Sequence, residues 1–182
     1  MIPNKEELIQ LAKWAKGSIH HIYLHHTGGT YEMNAIEKKD YHICIEGDGT
    51  VKLNGNLDAT KTHTWKRNTG SVGIAICCGW GAIIQKDENI VWGNYPPKTV
   101  QIETMAEVVA ILCKYLELPI DRLHVLTHDE VAVIDNYDIH SSDPDCRWDL
   151  RWLADPGTHE QHKRGGDVIR GLAIWKLNHE EL

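Results

Sequence analysis

Phenylalanine is missing from this sequence, although tryptophan occurs seven times. An excess of positive charge is missing too: 19 Lys and Arg stand against 26 Asp and Glu, for a formal net charge of −7. No basic face is therefore expected to bind phosphates through counterion release, and nucleic acid is excluded as a partner. No stretch approaches the roughly 18 consecutive apolar residues that a membrane span needs. The opening residues, MIPNKEELIQLAKWAKG, lack the basic start and apolar core of a secretory signal. The expectation is a chain that stays in the cytoplasm as synthesised and acts elsewhere only after release.

Cysteines number five, an odd count, and Cys77 and Cys78 are adjacent within an apolar segment where a bridge would be strained. Free thiols fit this pattern better than a disulfide framework. No repeat, linker or low-complexity tract interrupts the 182 residues, a length suited to one buried core. One domain, 1–182, is expected. With 42% hydrophobic and 25% charged residues, the composition is that of an ordinary globular protein rather than a disordered or fibrous one.

Residues 5–16 place Leu8, Leu11, Ala12 and Ala15 at helical spacing, with Gly17 where a C-terminal cap belongs. Ile19 to His25 reads as a strand stopped by Thr27-Gly28-Gly29. DYHICIEGDGTVKLN is a strand, a Gly-Asp-Gly turn and a second strand. GSVGIAICC, residues 70–78, suits a central strand covered on both faces. From Thr99, the recurrence of Ile102, Met105, Val109, Leu112 and Leu116 predicts an amphipathic helix ended by Pro119. RLHVLTH is a short strand, IDNYDIHSSDPD a loop, and a last helix covers about 167–178. Interleaved strands and helices around one mixed sheet make the fold class α/β.

Twelve histidines cluster at 20–21, 25–26, 124–128 and 140. Neighbours on a strand point to opposite faces, so one of His25 and His26 at most looks into a given site. His25-His26, His128 and the Asp- and His-rich segment 138–149 all fall at strand ends or in the loops that follow. Two imidazoles and an acid are a ligand set for Zn²⁺ that leaves a fourth position to water. A lone histidine at a strand end is more commonly a hydrogen-bonded core or surface group, so spacing alone leaves both readings open.

In order along the chain, YLHHTGG, DYHICIEGDGTV, HTWKRNTGSVGIAI, LTHDEVA and DPDCRWDL resemble the type 2 N-acetylmuramoyl-L-alanine amidases, which include phage amidase-lysozymes and are related to peptidoglycan recognition proteins. The resemblance covers about residues 19–153. It implies a central mixed sheet flanked by helices, peptidoglycan as partner and Zn²⁺ as cofactor. The family's first zinc ligand corresponds to His25 and its second to His128. Its active-site tyrosine, in the phage-like branch, corresponds to Tyr41. Other members carry a catalytic glutamate where this chain has Ala75, which gives Tyr41 more weight.

The third ligand has two registers. Asp149, with Arg147 where the family commonly has lysine, is favoured; Asp143, before a proline as in recycling amidases, is the alternative, and Cys146 ranks third. The other role open to Asp149 is to cap a helix begun by LRWLAD. Arg147 would stabilise an oxyanion without shuttling a proton, or else stack between Trp148 and Trp152. The resemblance places His63 near the substrate groove, the other reading being a solvated loop histidine. Thr27 is expected to hydrogen-bond beside the ligands, since ligating imidazoles usually have a partner for the free ring nitrogen. His26 is assigned to the far face of its strand. The function implied is hydrolysis of the amide between N-acetylmuramic acid and L-alanine, as a phage or prophage endolysin. The alternatives are a cytoplasmic muropeptide-recycling amidase and a binding module that does not cut.

Overall fold

The computed structural model describes residue 2, residues 4–179 and residue 182. Its first helix, α1 (Lys5–Ala15), buries Leu8, Ala12 and Ala15, the stripe that the sequence spacing marks. β1 (His21–His26) follows, starting and ending slightly later than the apolar pattern suggests. The sequence reading leaves α2 (Ala35–Asp40) out. The signal for it is Asn34 with Glu37 three residues on: the Asn34 side chain accepts from the Glu37 backbone while the Glu37 carboxylate accepts from the Asn34 backbone.

The predicted hairpin is present as β2 (Ile43–Ile45) and β3 (Val51–Leu53), paired antiparallel. β4 (Ser71–Ile76) is buried at every position, as a strand covered on both faces must be. A small hairpin, β5 (Ile83–Ile84) and β6 (Ile90–Val91), lies outside the main sheet. α3 (Thr99–Leu116) buries Ile102, Met105, Val109, Leu112 and Leu116. Gln101, at its start, is buried and donates to the carbonyls of Ile45 and Cys77, tying the helix to the ends of β2 and β4.

β7 (Val125–Thr127) is shorter than RLHVLTH implied, because His128 begins α4 (His128–Asp135). Thr127 caps that helix and Glu130 reaches back to the Thr127 backbone, a Thr-x-x-Glu box legible in the sequence. The stretch read as a loop from Ile134 therefore begins inside a helix. Asp149 caps no helix: Leu150 takes a left-handed φ of 57° and the chain continues into β8 (Trp152–Leu153), paired with β9 (Lys163–Arg164). Of residues 155–182, expected from the sequence to form a C-terminal helical extension, the helical part is α5 (Gly165–His179).

The main sheet runs β3-β2-β4-β1-β7, parallel except for β3. It is a mixed sheet flanked by helices, with α1 and α5 each packed against α3 in the core. Parallel strands β1 and β7 bring His26 and Thr127 to the same sheet end, and the loops beyond it meet there.

Candidate active site

His25 lies in β1 beside Ala75 of β4, and its side chain is fully buried. His128 is the first residue of α4 and is held by the Thr127 cap. Asp149 comes from the loop before β8. One oxygen of its carboxylate, Oδ2, stands 3.2 Å from His25 Nδ1 and 3.3 Å from His128 Nδ1. One ligand atom from each of the three residues lies within 4.8 Å of the others, and this is the sole such group among the described residues.

A chain of hydrogen bonds assigns the His25 tautomer. The Ser71 hydroxyl donates to the carbonyls of Arg67 (2.7 Å) and Asn68 (3.0 Å), so its oxygen accepts from His63 Nε2 at 3.5 Å. His63 Nδ1 then accepts from the Thr64 hydroxyl (3.0 Å), whose oxygen accepts from His25 Nε2 (3.3 Å). His25 Nδ1 is left as a lone pair facing a carboxylate oxygen. Two acceptors facing each other at that distance are suited to share a cation. The Nε2 atom of His128 is also buried without a partner. Two imidazoles and a carboxylate fit zinc, with a further position open.

The local field agrees. Burial pushes the His25 imidazole down to about 4, opposed in part by the Asp149 carboxylate beside it and aided by the charge of His128. Burial would raise the Asp149 carboxyl, but His128, His25 and His26 together hold it well below the usual range. A carboxylate and a neutral imidazole are the forms in which these groups bind metal.

Tyr41, at the C-terminal end of α2, sets its ring 5.2 Å from that of His25. Burial, with Asp149 and Cys44 nearby, raises its pKa far above the ordinary value, so it remains a phenol. His63 is buried, its ring 5.5 Å from that of His25, and burial followed by the charges of His25 and His42 lowers its pKa to about 2. The ring rests on Gly73 of β4, where a Cβ would run into it.

A cavity of about 470 Å³ opens on the cluster, lined by His63, Thr64, Trp65, His128, Tyr137, Asp143 and Arg147 among others. Arg147 is exposed and donates to the carbonyls of Asp145 and Cys146. The guanidinium groups over Trp152 are those of Arg151 and Arg164, not Arg147. Asp143 folds back on its own loop, accepting from the Asp145 backbone, and lies outside the three-residue cluster. Thr27 also turns inward, accepting from the Gly29 backbone, and the His25 partner is Thr64 instead. His26 packs between Trp92 (5.3 Å) and Trp148 (4.9 Å).

Sequence reasoning missed Thr64 and Tyr137. Thr64 follows His63 directly, and a hydroxyl beside a candidate ligand's neighbour was the available signal. Tyr137 is buried, its hydroxyl unpartnered and its ring 5.9 Å from those of His128 and Trp65. Nothing in its local sequence distinguishes it from a core tyrosine.

A family model described as N-acetylmuramoyl-L-alanine amidase matches residues 15–158. No curated protein sequence matches significantly. Among solved structures, the Staphylococcus aureus hydrolase AmiA, in complex with its ligand, is 14% identical with a TM-score of 0.56, over 90% of this chain and 77% of that one. The endolysin N-acetylmuramoyl-L-alanine amidase LysCS from Clostridium intestinale is 17% identical with a TM-score of 0.47, over 63% and 71%. An endolysin of a Thermus scotoductus bacteriophage is 20% identical with a TM-score of 0.45, over 62% and 73%.

Proposed function

The chain belongs to the N-acetylmuramoyl-L-alanine amidase family, and from that premise we propose that it is a zinc-dependent amidase cutting peptidoglycan as a phage or prophage endolysin. The observation that carries the zinc reading is the convergence of His25, His128 and Asp149 on one point, with the lone pair of His25 Nδ1 turned toward it. The phage-like reading is supported by Ala75, which occupies the β4 position beside His25, and by the Tyr41 ring against that histidine. Among the described residues no helix is long and apolar enough to cross a membrane.

His25, His128 and Asp149 would hold the ion. When bound, zinc lowers the pKa of a water to ~7 and polarises the scissile carbonyl. Hydrolysis adds the hydroxyl of water to the lactyl carbonyl carbon and its proton to the alanine nitrogen. Tyr41, still protonated, donates to the oxyanion that develops on the carbonyl oxygen. The Tyr137 hydroxyl, without a protein partner and on the cavity wall, is free to hydrogen-bond the substrate. Arg147, on the cavity wall, stabilises negative charge through its guanidinium. Thr64 and His63 keep the proton of His25 on Nε2.

The test is to measure zinc per chain in the purified protein and the release of free L-alanine amino termini from intact peptidoglycan. The expected result is one zinc and release that a chelator abolishes. Protein that holds no zinc and releases nothing returns the chain to the binding-module alternative.

A further inference from the structure

Two of the three candidate ligands sit on segments joined by buried charge. Asp129 follows His128, and Arg151 lies two residues beyond Asp149. The side chains of Asp129 and Arg151 are each 2% exposed. Arg151 Nη1 donates to Asp129 Oδ1 at 2.7 Å, while its Nη2 and Nε donate to Glu88 Oε2 at 2.6 and 3.1 Å. The other oxygen of Asp129 accepts from Arg164 at 3.1 Å. Glu88, in the turn between β5 and β6, also contacts His140 at 2.9 Å.

The backbone repeats the connection. Asp129 N donates to Asp149 O at 3.3 Å, and Gly165 N to Arg151 O at 3.2 Å. Gly165 sits where any Cβ would collide with the Leu150 carbonyl. Arg164 and Gly165 lie beyond the residues that match the family model. A buried ion pair is a poor source of net stability, because desolvation offsets its attraction. A guanidinium fork is strongly directional, however, and fixes the distance between the groups it joins.

We propose that Asp129 and Arg151, closed by Arg164, are positioning residues that set the separation of His128 from Asp149 required for metal binding. The inference rests on the zinc reading given above. The C-terminal segment thereby becomes part of the site's framework, since Arg164 grips the residue next to one ligand and Gly165 the residue next but one to another. Neither Asp129 nor Arg151 is assigned any contact with substrate.

The experiment compares zinc affinity, by competition with a chromophoric chelator, and the Co²⁺ absorption spectrum in wild type, Arg151→Lys, Asp129→Asn and Arg164→Gln. Ile111→Val, a truncation in the buried core of α3, serves as a control for lost stability. Arg151→Lys keeps the charge and removes the fork, and is expected to weaken zinc binding about 10–100-fold and shift the Co²⁺ bands. Asp129→Asn should do the same, and Arg164→Gln, whose native side chain is 43% exposed, should show a smaller loss in the same direction. Ile111→Val should lower the melting temperature of the metal-free protein and leave affinity and spectrum alone. If Arg151→Lys does not fold, Asp129→Asn and Arg164→Gln decide. Wild-type affinity and spectrum in the folded variants overturn the inference alone; a wild-type protein that binds no zinc overturns the metal reading and the inference together.

Discussion

Asp149 and His25 are separated by 124 positions in the chain, yet the carboxylate Oδ2 of one stands 3.2 Å from the Nδ1 of the other. That same oxygen reaches His128 at 3.3 Å. Asp143, six positions earlier, is spent on a turn within its own loop. The geometry thus favours one of two registers that the motif DPDCRWDL leaves open.

The ligand register is tested by Asp149→Ala beside Asp143→Ala. Asp149→Ala should lose stoichiometric zinc and about 100-fold or more of its activity, and Asp143→Ala should keep its metal. Atomic absorption on the two dialysed proteins reads the difference, and the reverse pattern would move the third ligand to Asp143.

Gly73 lies under the His63 ring, so Gly73→Ala should force that ring away and open the contacts to Thr64 and Ser71. The overpacking should cost about 1–3 kcal/mol. Urea denaturation gives the stability change. A variant as stable as wild type, with the His63 ring signals unmoved in an NMR spectrum, would contradict the close packing described.

Acid sensitivity follows from His42. Its Nδ1 accepts from the Gly73 backbone and its Nε2 donates to the Ala59 carbonyl, a neutral tautomer held at both ends. Burial is the main reason its pKa falls from 6.5 to about 4; the Ala59 hydrogen bond opposes the drop, and the charge of Lys61 assists it. Because the folded value lies below the unfolded one, the unfolded chain binds more protons between them. The stability contribution is complete above pH 6.5, declines as pH falls through that window, and is gone below about 4. The loss amounts to about 3 kcal/mol. In the metal-free protein, the slope of unfolding free energy against pH should flatten in His42→Gln; an unchanged slope would assign the acid sensitivity to other groups.

Much of this molecule is readable from local pattern. The stripe Ile102, Met105, Val109, Leu112 and Leu116 is buried in α3, and residues 70–78 contain the central β4, because helix and strand periods act over a few neighbouring residues. The boxes Asn34-x-x-Glu37 and Thr127-x-x-Glu130 were equally legible, and reading them would have supplied α2 and the true start of α4. The resemblance named the residue types of the site in their order.

What the sequence determined by itself was the α/β class and a short set of candidates, since each depends on near neighbours in the chain. Tertiary structure decided which groups meet. Parallel pairing of β1 with β4 and β7 carries His25 and His128 to one end of the sheet. A left-handed turn at Leu150, whose carbonyl fits against Gly165 only because that residue has no Cβ, aims Asp149 at them. Thr64, not Thr27, holds the proton of His25, because hydrogen bonds follow distance in space and not spacing along the chain.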